Sequence, residues 1–277
     1  MYEPMEVARS LQVNALISVI DAVRPKAFYF SGEIHDFWEL VFVKEGYAIA
    51  TGEERVFRLS PGQLLFHKPM EFHKIRSEGD SSPHLIILSF SASGRGMDFF
   101  REKCFFLDSN LASEYQSCAE ECSRAIAAFN NGSAEYAALS ERSAVRIEHF
   151  LLNLMDSGEK GDLQSPTEDE IRYRTAVSVM NSHCSENLSV EEIAELCGLS
   201  ASTLKRSFAR FSDKGIASVF RTLKIRRAME LLSDGASAVE VAEKVGFAEP
   251  AYFHSVFKRE TGMTPLNYKK SKTGKRT

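Results

Sequence analysis

The chain has 277 residues, 44% hydrophobic and 26% charged, the proportions of a globular protein of two domains or one large one, and this excludes bulk disorder. Its net charge of −4 is unevenly spread: residues 1–170 hold 16 Lys and Arg against 27 Asp and Glu, whereas residues 171–277 hold 18 against 11, so an acidic front joins a basic back suited to a polyanion. No apolar run approaches the ~18 residues of a membrane-spanning helix, the start lacks a signal-like apolar core, and five cysteines (Cys104, Cys118, Cys122, Cys184, Cys197) form no CxxC pair, so a cytoplasmic chain with reduced thiols and no membrane partner is expected.

Residues 28–90 read as short strands broken by turns. The runs are Phe37–Val43, Tyr47–Ala50, Arg55–Leu59, Leu64–His67 and His84–Phe90, and the breaks are Glu45-Gly46, Gly52, Ser60-Pro61-Gly62, Pro69 and Gly79–Pro83. This punctuation predicts an antiparallel sandwich or small barrel. Alternation puts Phe37 and Glu39 on one face of the first run and Trp38 on the other, under whatever covers the barrel. The period then becomes helical in Ser113–Phe129 and Ala134–Met155, joined by Asn130-Asn131-Gly132-Ser133. Leu139, Val145, Ile147, Phe150, Leu151 and Leu154 give the second helix a broad apolar face, and a short Gly-containing turn makes the two antiparallel. That face either only covers the barrel or also pairs with a second subunit. Ser157–Thr167 is polar, with two Gly and a Pro, and reads as a linker. Beyond it the pattern is helical up to a basic tail, Lys269–Thr277, expected to fray.

The back half contains an internal repeat. Ser189–Gly198 matches Ser237–Gly246 at an offset of 48. Each copy opens on a capping box (Ser189 with Glu192, Ser237 with Glu240), carries a small residue where a second helix can cross (Ala194, Ala242), and stops at a glycine. A new helix follows each glycine, about 201–211 and 250–260, which is the helix-turn-helix pattern. In the first, Leu204, Phe208 and Phe211 face inward and Ser202, Lys205, Arg206 and Ala209 outward. In the second, Pro250 suits a first helical turn. Phe253, Val256 and Phe257 face inward, and Ala251, His254, Ser255 and Lys258 outward. Ile216–Leu232 reads as one connecting helix, ~25 Å long at 1.5 Å per residue. Such a rod separates two recognition helices by about one turn of B-DNA, ~34 Å.

The stretch from about 171 to 270 resembles the DNA-binding domain of the AraC/XylS family of bacterial transcription regulators. The residues that carry the resemblance are Leu188–Ala194, Leu199-Ser200, Leu204–Phe208, Lys224–Leu232, Val241–Phe247 and Ala251–Pro265. It implies a seven-helix unit with two helix-turn-helix motifs, whose base-reading positions map to Ser202, Lys205 and Arg206, and to Pro250, Ala251, His254 and Ser255. Thr203, Arg210, Lys258 and Arg259 join them as further DNA-contacting candidates; for Lys205, Lys258 and Arg259 phosphate contact is expected, which sets affinity without reading sequence. The chain departs from the family at Thr203, where an aromatic is common, at Ser255, where an arginine is common, and at residues 211–215.

In the front half, His35-Asp-Phe-Trp-Glu39 and Gly62–His73 resemble the two motifs of the cupin barrel, as used in the sensor half of this regulator family. In metal cupins the equivalents of Glu33, His35, Glu39 and His73 hold a divalent ion, and these N/O donors suit a transition metal. The first His of the usual pair is Glu33, and an effector pocket is the preferred reading: Phe28, His35, Phe37, Glu39, Phe66 and His73 are the candidates, since small barrels hold one small ligand inside. No cofactor or bound metal is called for. No GxSxG, HExxH, Walker or dinucleotide fingerprint is present, so no enzyme activity is expected.

The fold expected is therefore α+β and multidomain: a cupin-like antiparallel β-barrel at 1–112, a helical pair for dimerisation at 113–156, a linker at 157–167, and an all-α double helix-turn-helix unit at 168–277. The function expected is an effector-responsive, sequence-specific transcription regulator. Its partners would be promoter DNA, a carbohydrate or small metabolite, a second copy of the chain and, for an activator, RNA polymerase. The competing readings are a metal-dependent cupin enzyme tethered to DNA and a DNA-binding regulator without an effector.

Overall fold

The computed structural model describes residues 5–52, 55–101, 103–157, 159–160, 167–212 and 214–273. Its front half is a two-sheet antiparallel barrel. One sheet has the order β1 (Gln12–Val23), β8 (His84–Ser93), β3 (Trp38–Glu45), β6 (Gln63–His67), β9 (Cys104–Phe106) and β10 (Glu159–Lys160). The other has β2 (Tyr29–Glu33), β7 (His73–Ser77), β4 (Ala48–Gly52) and β5 (Arg55–Leu59).

The period-2 pattern of β3 explains how the barrel is filled. Val41 and Val43 face inward with Ala50, Phe57, Leu65, Ile75, Leu85 and Ile87. Trp38, Leu40 and Phe42 face the other way, with Leu64, Phe66, Leu88 and Phe90, and are covered by α1 (Ser109–Asn130) and α2 (Tyr136–Ser157). Trp38 thus lies under the helices, as its alternation with Phe37 and Glu39 requires. Tyr115 of α1 is buried there and donates its hydroxyl to the carbonyl oxygens of Leu40 (3.0 Å) and Ile86 (3.2 Å), which pins the helix to the sheet. Helix α1 begins four residues before the expected Ser113. The cause is Asp108, whose carboxylate accepts from Asn110 N (2.9 Å) and Leu111 N (2.8 Å) and caps the helix.

Five strands among the described residues were not expected from the sequence. β1 is bulged between Val13 and Ala15 and between Leu16 and Ser18, which breaks its alternation, and β7 reads His-Lys-Ile-Arg-Ser. β2 and β9 are short. Within the segment expected to be a linker, Glu159 and Lys160 pair with Phe106 and Phe105; the linker's residues 161–166 lie outside the described residues. The basic tail is not frayed at its start. α9 runs Pro265–Thr273, and Lys269 Nζ donates to Gly235 O (2.6 Å) and Ala236 O (3.1 Å); residues 274–277 lie outside the described residues.

The back half has two small helical cores threaded by one helix. α3 (Glu168–Ser182), α4 (Val190–Leu196), α5 (Ala201–Ala209) and the first half of α6 (Ile216–Ser233) surround Tyr173, Ile193, Leu204, Phe208 and Leu223. The second half of α6, α7 (Ala238–Lys244), α8 (Pro250–Thr261) and α9 surround Ile225, Leu232, Val241, Phe253 and Phe257. These are the seven helices that the family resemblance implies. Both expected capping boxes form: Ser189 with Glu192 and Ser237 with Glu240 satisfy each other's amides. Gly198 and Gly246 follow with φ of 67° each, a conformation that costs glycine nothing and lets each chain turn into the next helix. Replacing Ser189 with alanine should cost about 1 kcal/mol of stability, read as a lower urea midpoint with an unchanged slope; an unchanged midpoint would show that the box does not support α4.

The helical unit rests against the β2-β7-β4-β5 sheet. Val56 packs on the first helical core, and Ile34 and Met70 pack on the second. Arg58 pairs with the buried Glu170 at the start of α3, Lys74 Nζ donates to Ser212 Oγ (2.6 Å), and Asp36 pairs with Lys272 of α9. Among the described residues no helix is long and apolar enough to cross a membrane.

Candidate functional site

Two constellations are candidates, one on the helical unit and one in the barrel. On α5 the core residues Leu204 and Phe208 fix the roll of the helix. That roll leaves Ser202, Lys205, Arg206, Ala209 and Arg210 exposed and Thr203 half-buried. Ser200 caps the helix by accepting from Thr203 N (3.2 Å). On α8, Phe253, Val256 and Phe257 face the core, and Pro250, Ala251, His254, Ser255, Lys258 and Arg259 are exposed. All the residues expected to meet DNA therefore fall on two solvent-facing helix surfaces, Thr203 at the margin of its own.

The charges on those surfaces differ in freedom. Arg210 is tied to Asp169 (2.7 Å), whose other oxygen accepts from Ser207 Oγ (2.6 Å). Lys205 lies 3.6 Å from Glu191, and Arg259 pairs with the adjacent Glu260 (3.0 Å). Arg206 and Lys258 have no ion pair among the described residues. A long cation without a carboxylate partner gives up least when it moves to a base edge or a phosphate. Ser255 Oγ donates to Tyr252 O (2.8 Å), so its hydroxyl is already engaged. Tyr252, 51% exposed beside His254, is a surface residue the sequence reading did not single out. Its signal was available, because it lies one position before the inward Phe253.

In the barrel, the end of β2, the β2–β3 turn, β3, and the β6–β7 connection with the strand ends it joins bring six ionisable side chains together. Glu39 Oε1 lies 3.3 Å from His73 Nε2, and Glu39 Oε2 lies 3.8 Å from His35 Nε2. Glu33, half-exposed at the rim, lies 3.9 Å from His73 Nε2. His67 Nδ1 is 3.6 Å from Glu71, and the His67 and His73 rings stack at 4.3 Å. Two of the imidazoles are oriented from behind: His35 Nδ1 meets Phe37 O and His73 Nδ1 meets Glu71 O, each at 3.0 Å. As donors to carbonyls these Nδ1 atoms carry protons, which turns both Nε2 atoms toward Glu39. Phe37 stacks on His35 with ring centroids 3.7 Å apart. The Nε2 atoms of His35 and His73 and both ring nitrogens of His67 are buried without a hydrogen-bond partner.

Electrostatics separate the members. Burial alone would raise the Glu39 carboxyl, but the adjacent His35 and His73 outweigh it and hold the group well below the usual carboxylate range. His73 is buried too, yet Glu39 beside it raises its value, so the Glu39–His73 pair is an ion pair. His67 moves the other way: burial and the charge on His73 together lower it, and it stays neutral. The cluster thus holds one buried ion pair, Glu39–His73, with the neutral His67 ring stacked against it, and its buried imidazole nitrogens are groups that a bound ion or polar molecule could satisfy.

The donor set allows two kinds of occupant. Glu33, His35, Glu39 and His73 each offer one atom, all within 4.8 Å of one another, and two imidazole nitrogens with two carboxylate oxygens fit a divalent transition ion. The same carboxylates accept hydrogen bonds from the hydroxyls of a sugar-like molecule, the protonated His73 donates to them through Nε2, and an imidazole whose one proton sits on Nδ1 accepts through Nε2.

Two of the expected pocket residues are elsewhere. Phe66 points to the opposite face of β6 and packs under the helices on Phe100 (4.7 Å) and Phe105 (5.7 Å). One residue of strand period separates it from His67, which takes the inward position. Phe28 precedes β2, whereas Glu33 closes that strand, so Phe28 sits at the far end, with Arg24 over its ring at 4.8 Å. His35, Phe37, Glu39 and His73 do converge. His67 and Glu71 were missed, although strand alternation from Leu65 places His67 inward.

The chain matches two family models: one described as an AraC-like ligand binding domain, over residues 18–106, and one described as a helix-turn-helix domain, over residues 193–271. Among known proteins it is 24% identical over 265 residues to the uncharacterized HTH-type transcriptional regulator YbfI of Bacillus subtilis (strain 168), covering 88% of this chain and 89% of that one. It is 23% identical over 261 residues to the HTH-type transcriptional activator RhaR of Enterobacter sp. (strain 638), covering 92% and 93%. Among solved structures, that of ToxT from Vibrio cholerae O395 matches 96% of this chain and 99% of its own, at 15% identity and a TM-score of 0.43.

Proposed function

Because the chain belongs to the AraC family of DNA-binding transcriptional regulators, which carry a ligand-binding domain and are not enzymes, we propose that it is an effector-responsive regulator whose α5 and α8 read successive major grooves. Arg206 is the principal base-reading cation, and Lys205, Lys258 and Arg259 contact phosphates. The barrel takes a carbohydrate or other small polar metabolite between His35, Glu39 and His73, with Phe37 backing the site. The α1–α2 pair joins two copies, and an activating role would add contact with RNA polymerase.

The observation that carries this reading is that the ligand cluster and the seat of the DNA unit share the same two segments. Glu33 and His35 flank Ile34, and Asp36 follows; Ile34 packs on the second helical core and Asp36 pairs with Lys272. On the other segment, the β6–β7 connection, Met70 packs on that core, between His67 and His73, and its amide donates to His35 O (2.7 Å). Met70 has a φ of 66°, in the left-handed region that a methionine adopts only when its surroundings hold it there. An effector that reorients His35 or His73 therefore acts on residues that touch the DNA unit. It shifts DNA affinity only as far as its own affinities for the two arrangements differ.

Selecting duplexes from random sequence with the purified chain tests the DNA reading, and enrichment of no motif would end it. For the barrel, thermal unfolding is followed across a panel of sugars, small metabolites and divalent ions. A true effector at 100 times its dissociation constant stabilises by about 2.7 kcal/mol, and His73→Ala should abolish that rise. A stoichiometric metal retained through dialysis and lost on His73→Ala would replace the metabolite by an ion; a His73→Ala response equal to wild type would move the effector out of this cluster.

A further inference from the structure

The two helical cores of the DNA unit are separate. Helix α6 contributes Ile216, Val219, Phe220 and Leu223 to the first and Ile225, Ala228, Met229 and Leu232 to the second. Lys224 lies at the changeover, between Leu223 and Ile225, and is only 5% exposed. Among the described residues no apolar side chain belongs to both cores, so hydrophobic packing does not by itself set how one recognition helix is turned relative to the other.

What crosses the joint is polar. Lys224 Nζ donates to Glu186 O (2.6 Å), in the turn between α3 and α4, and to Val245 O (3.1 Å), in the turn between α7 and α8. Asn187 Oδ1 and Gly246 O lie at the limit of reach, 3.4 Å each. The ammonium also lies 5.0 Å from the Phe220 ring and 5.8 Å from the Phe247 ring, one aromatic from each core. Its three hydrogens are thus divided between the two helix-turn-helix units, and the charge is met by carbonyl dipoles and ring faces.

The same turns touch directly. Gly246 adopts a φ of 67°, and a Cβ there would lie 2.4 Å from Ser185 O and 2.8 Å from Lys224 Nζ. A second tie lies beside the first: Arg226 Nη2 donates to Asn181 Oδ1 (2.8 Å), joining α6 to α3. Four residues after Gly246 the chain enters α8, so any displacement of this turn is delivered to the second recognition helix.

We propose that Lys224 is the positioning residue that sets the angle between α5 and α8, and with it the spacing of the two half-sites the protein accepts. The inference rests on the two-groove reading above. A neutral, apolar side chain at 224 would leave the Glu186 and Val245 carbonyls without their shared donor and free the two units to rotate about α6. The half-sites would still be recognised one at a time, but the penalty for changing their separation would fall.

The test uses the full chain and the duplex it selects from random sequence. Single base pairs are inserted or deleted between the two half-sites, and affinity is measured at each spacing. Wild type should lose about tenfold for one inserted pair, because the second helix is carried out of its groove. Lys224→Met should bind the selected spacing about tenfold more weakly and show a nearly flat profile over the series, with the affinity for an isolated half-site close to wild type. Gly246→Ala, which keeps the lysine but forces the turns apart, should flatten the profile too, and it stands in should Lys224→Met not fold. Lys224→Arg, which keeps a cation, should restore part of the preference. A Lys224→Met profile as steep as wild type, or a loss equal at all spacings and on the isolated half-site, overturns the proposal. Wild type that selects no two-part duplex would instead defeat the two-groove reading on which it rests.

Discussion

Arg58→Ala is expected to open the seam between the barrel and the DNA unit at a cost of about 3 kcal/mol. Arg58 projects from β5 and pairs with Glu170, which is 3% exposed at its side chain. The other carboxylate oxygen of Glu170 accepts from Thr167 N (2.9 Å) and caps α3. With the guanidinium gone, a buried charge keeps only its capping bond, and a buried ion pair is costly to break from one side. The least costly escape is to let water reach Glu170 by lifting α3 off the sheet, since each half keeps its own hydrophobic core. Hydrogen exchange should therefore quicken in β5 and the first turn of α3 and remain slow in β3, β8 and α6. The double variant Arg58→Ala, Glu170→Gln should recover most of the loss, because a neutral amide is far easier to bury than a carboxylate. If exchange at the seam does not change, the ion pair does not hold the two halves together. If the seam does open, the effector should lose its influence on DNA binding, since the segments bearing Ile34, Asp36 and Met70 would no longer press on the second core.

The second large effect is on DNA itself. Arg206→Ala should weaken binding to the selected duplex by about 1–3 kcal/mol and relax preference at one base position, the signature of a lost bidentate contact to guanine. Lys258→Ala should instead weaken all sequences alike and lower the dependence of affinity on salt by about one counterion. The two residues are a matched comparison: both are exposed, both lie on the outer face of a recognition helix, and neither has an ion pair among the described residues. Selectivity unchanged in Arg206→Ala would remove it from the reading set. Arg210 should behave differently again. Its bond to Asp169, which also accepts from Ser207, makes it part of the brace between α5 and α3, so Arg210→Ala should affect stability along with affinity.

The DNA unit was the more legible half of the chain. Its signals are local: a serine with a glutamate three residues on, a glycine that can take positive φ, and apolar residues four and seven apart. Each acts within one or two turns of helix, and so the capping boxes, both turns and the outward faces of α5 and α8 follow from the order of residues alone. The cupin-like barrel was legible where alternation is clean, as in β3 and β6. It was not legible in β1, where two bulges reset the phase, nor in β7, whose His-Lys-Ile-Arg-Ser reads as a surface loop until β2 and β4 pair on either side of it.

The buried ionisable cluster of the barrel lies between these cases. His35, Phe37, Glu39 and His73 were picked out by their motif, but Phe66 was placed on the wrong face, and His67 and Glu71 were overlooked. A step of one residue along a strand exchanges inside for outside. The order of residues by itself determined the helix-turn-helix pair, the exposed cations and the strands of clean period, because those depend on interactions over a few residues. Only the tertiary structure decided which ionisable groups share a buried site, that the DNA unit seats on the sheet through Glu170 and Lys272, and that Lys224 bridges two cores. Those partners lie tens to hundreds of residues apart, and nothing in the local chain names them until folding has brought them within a few ångströms.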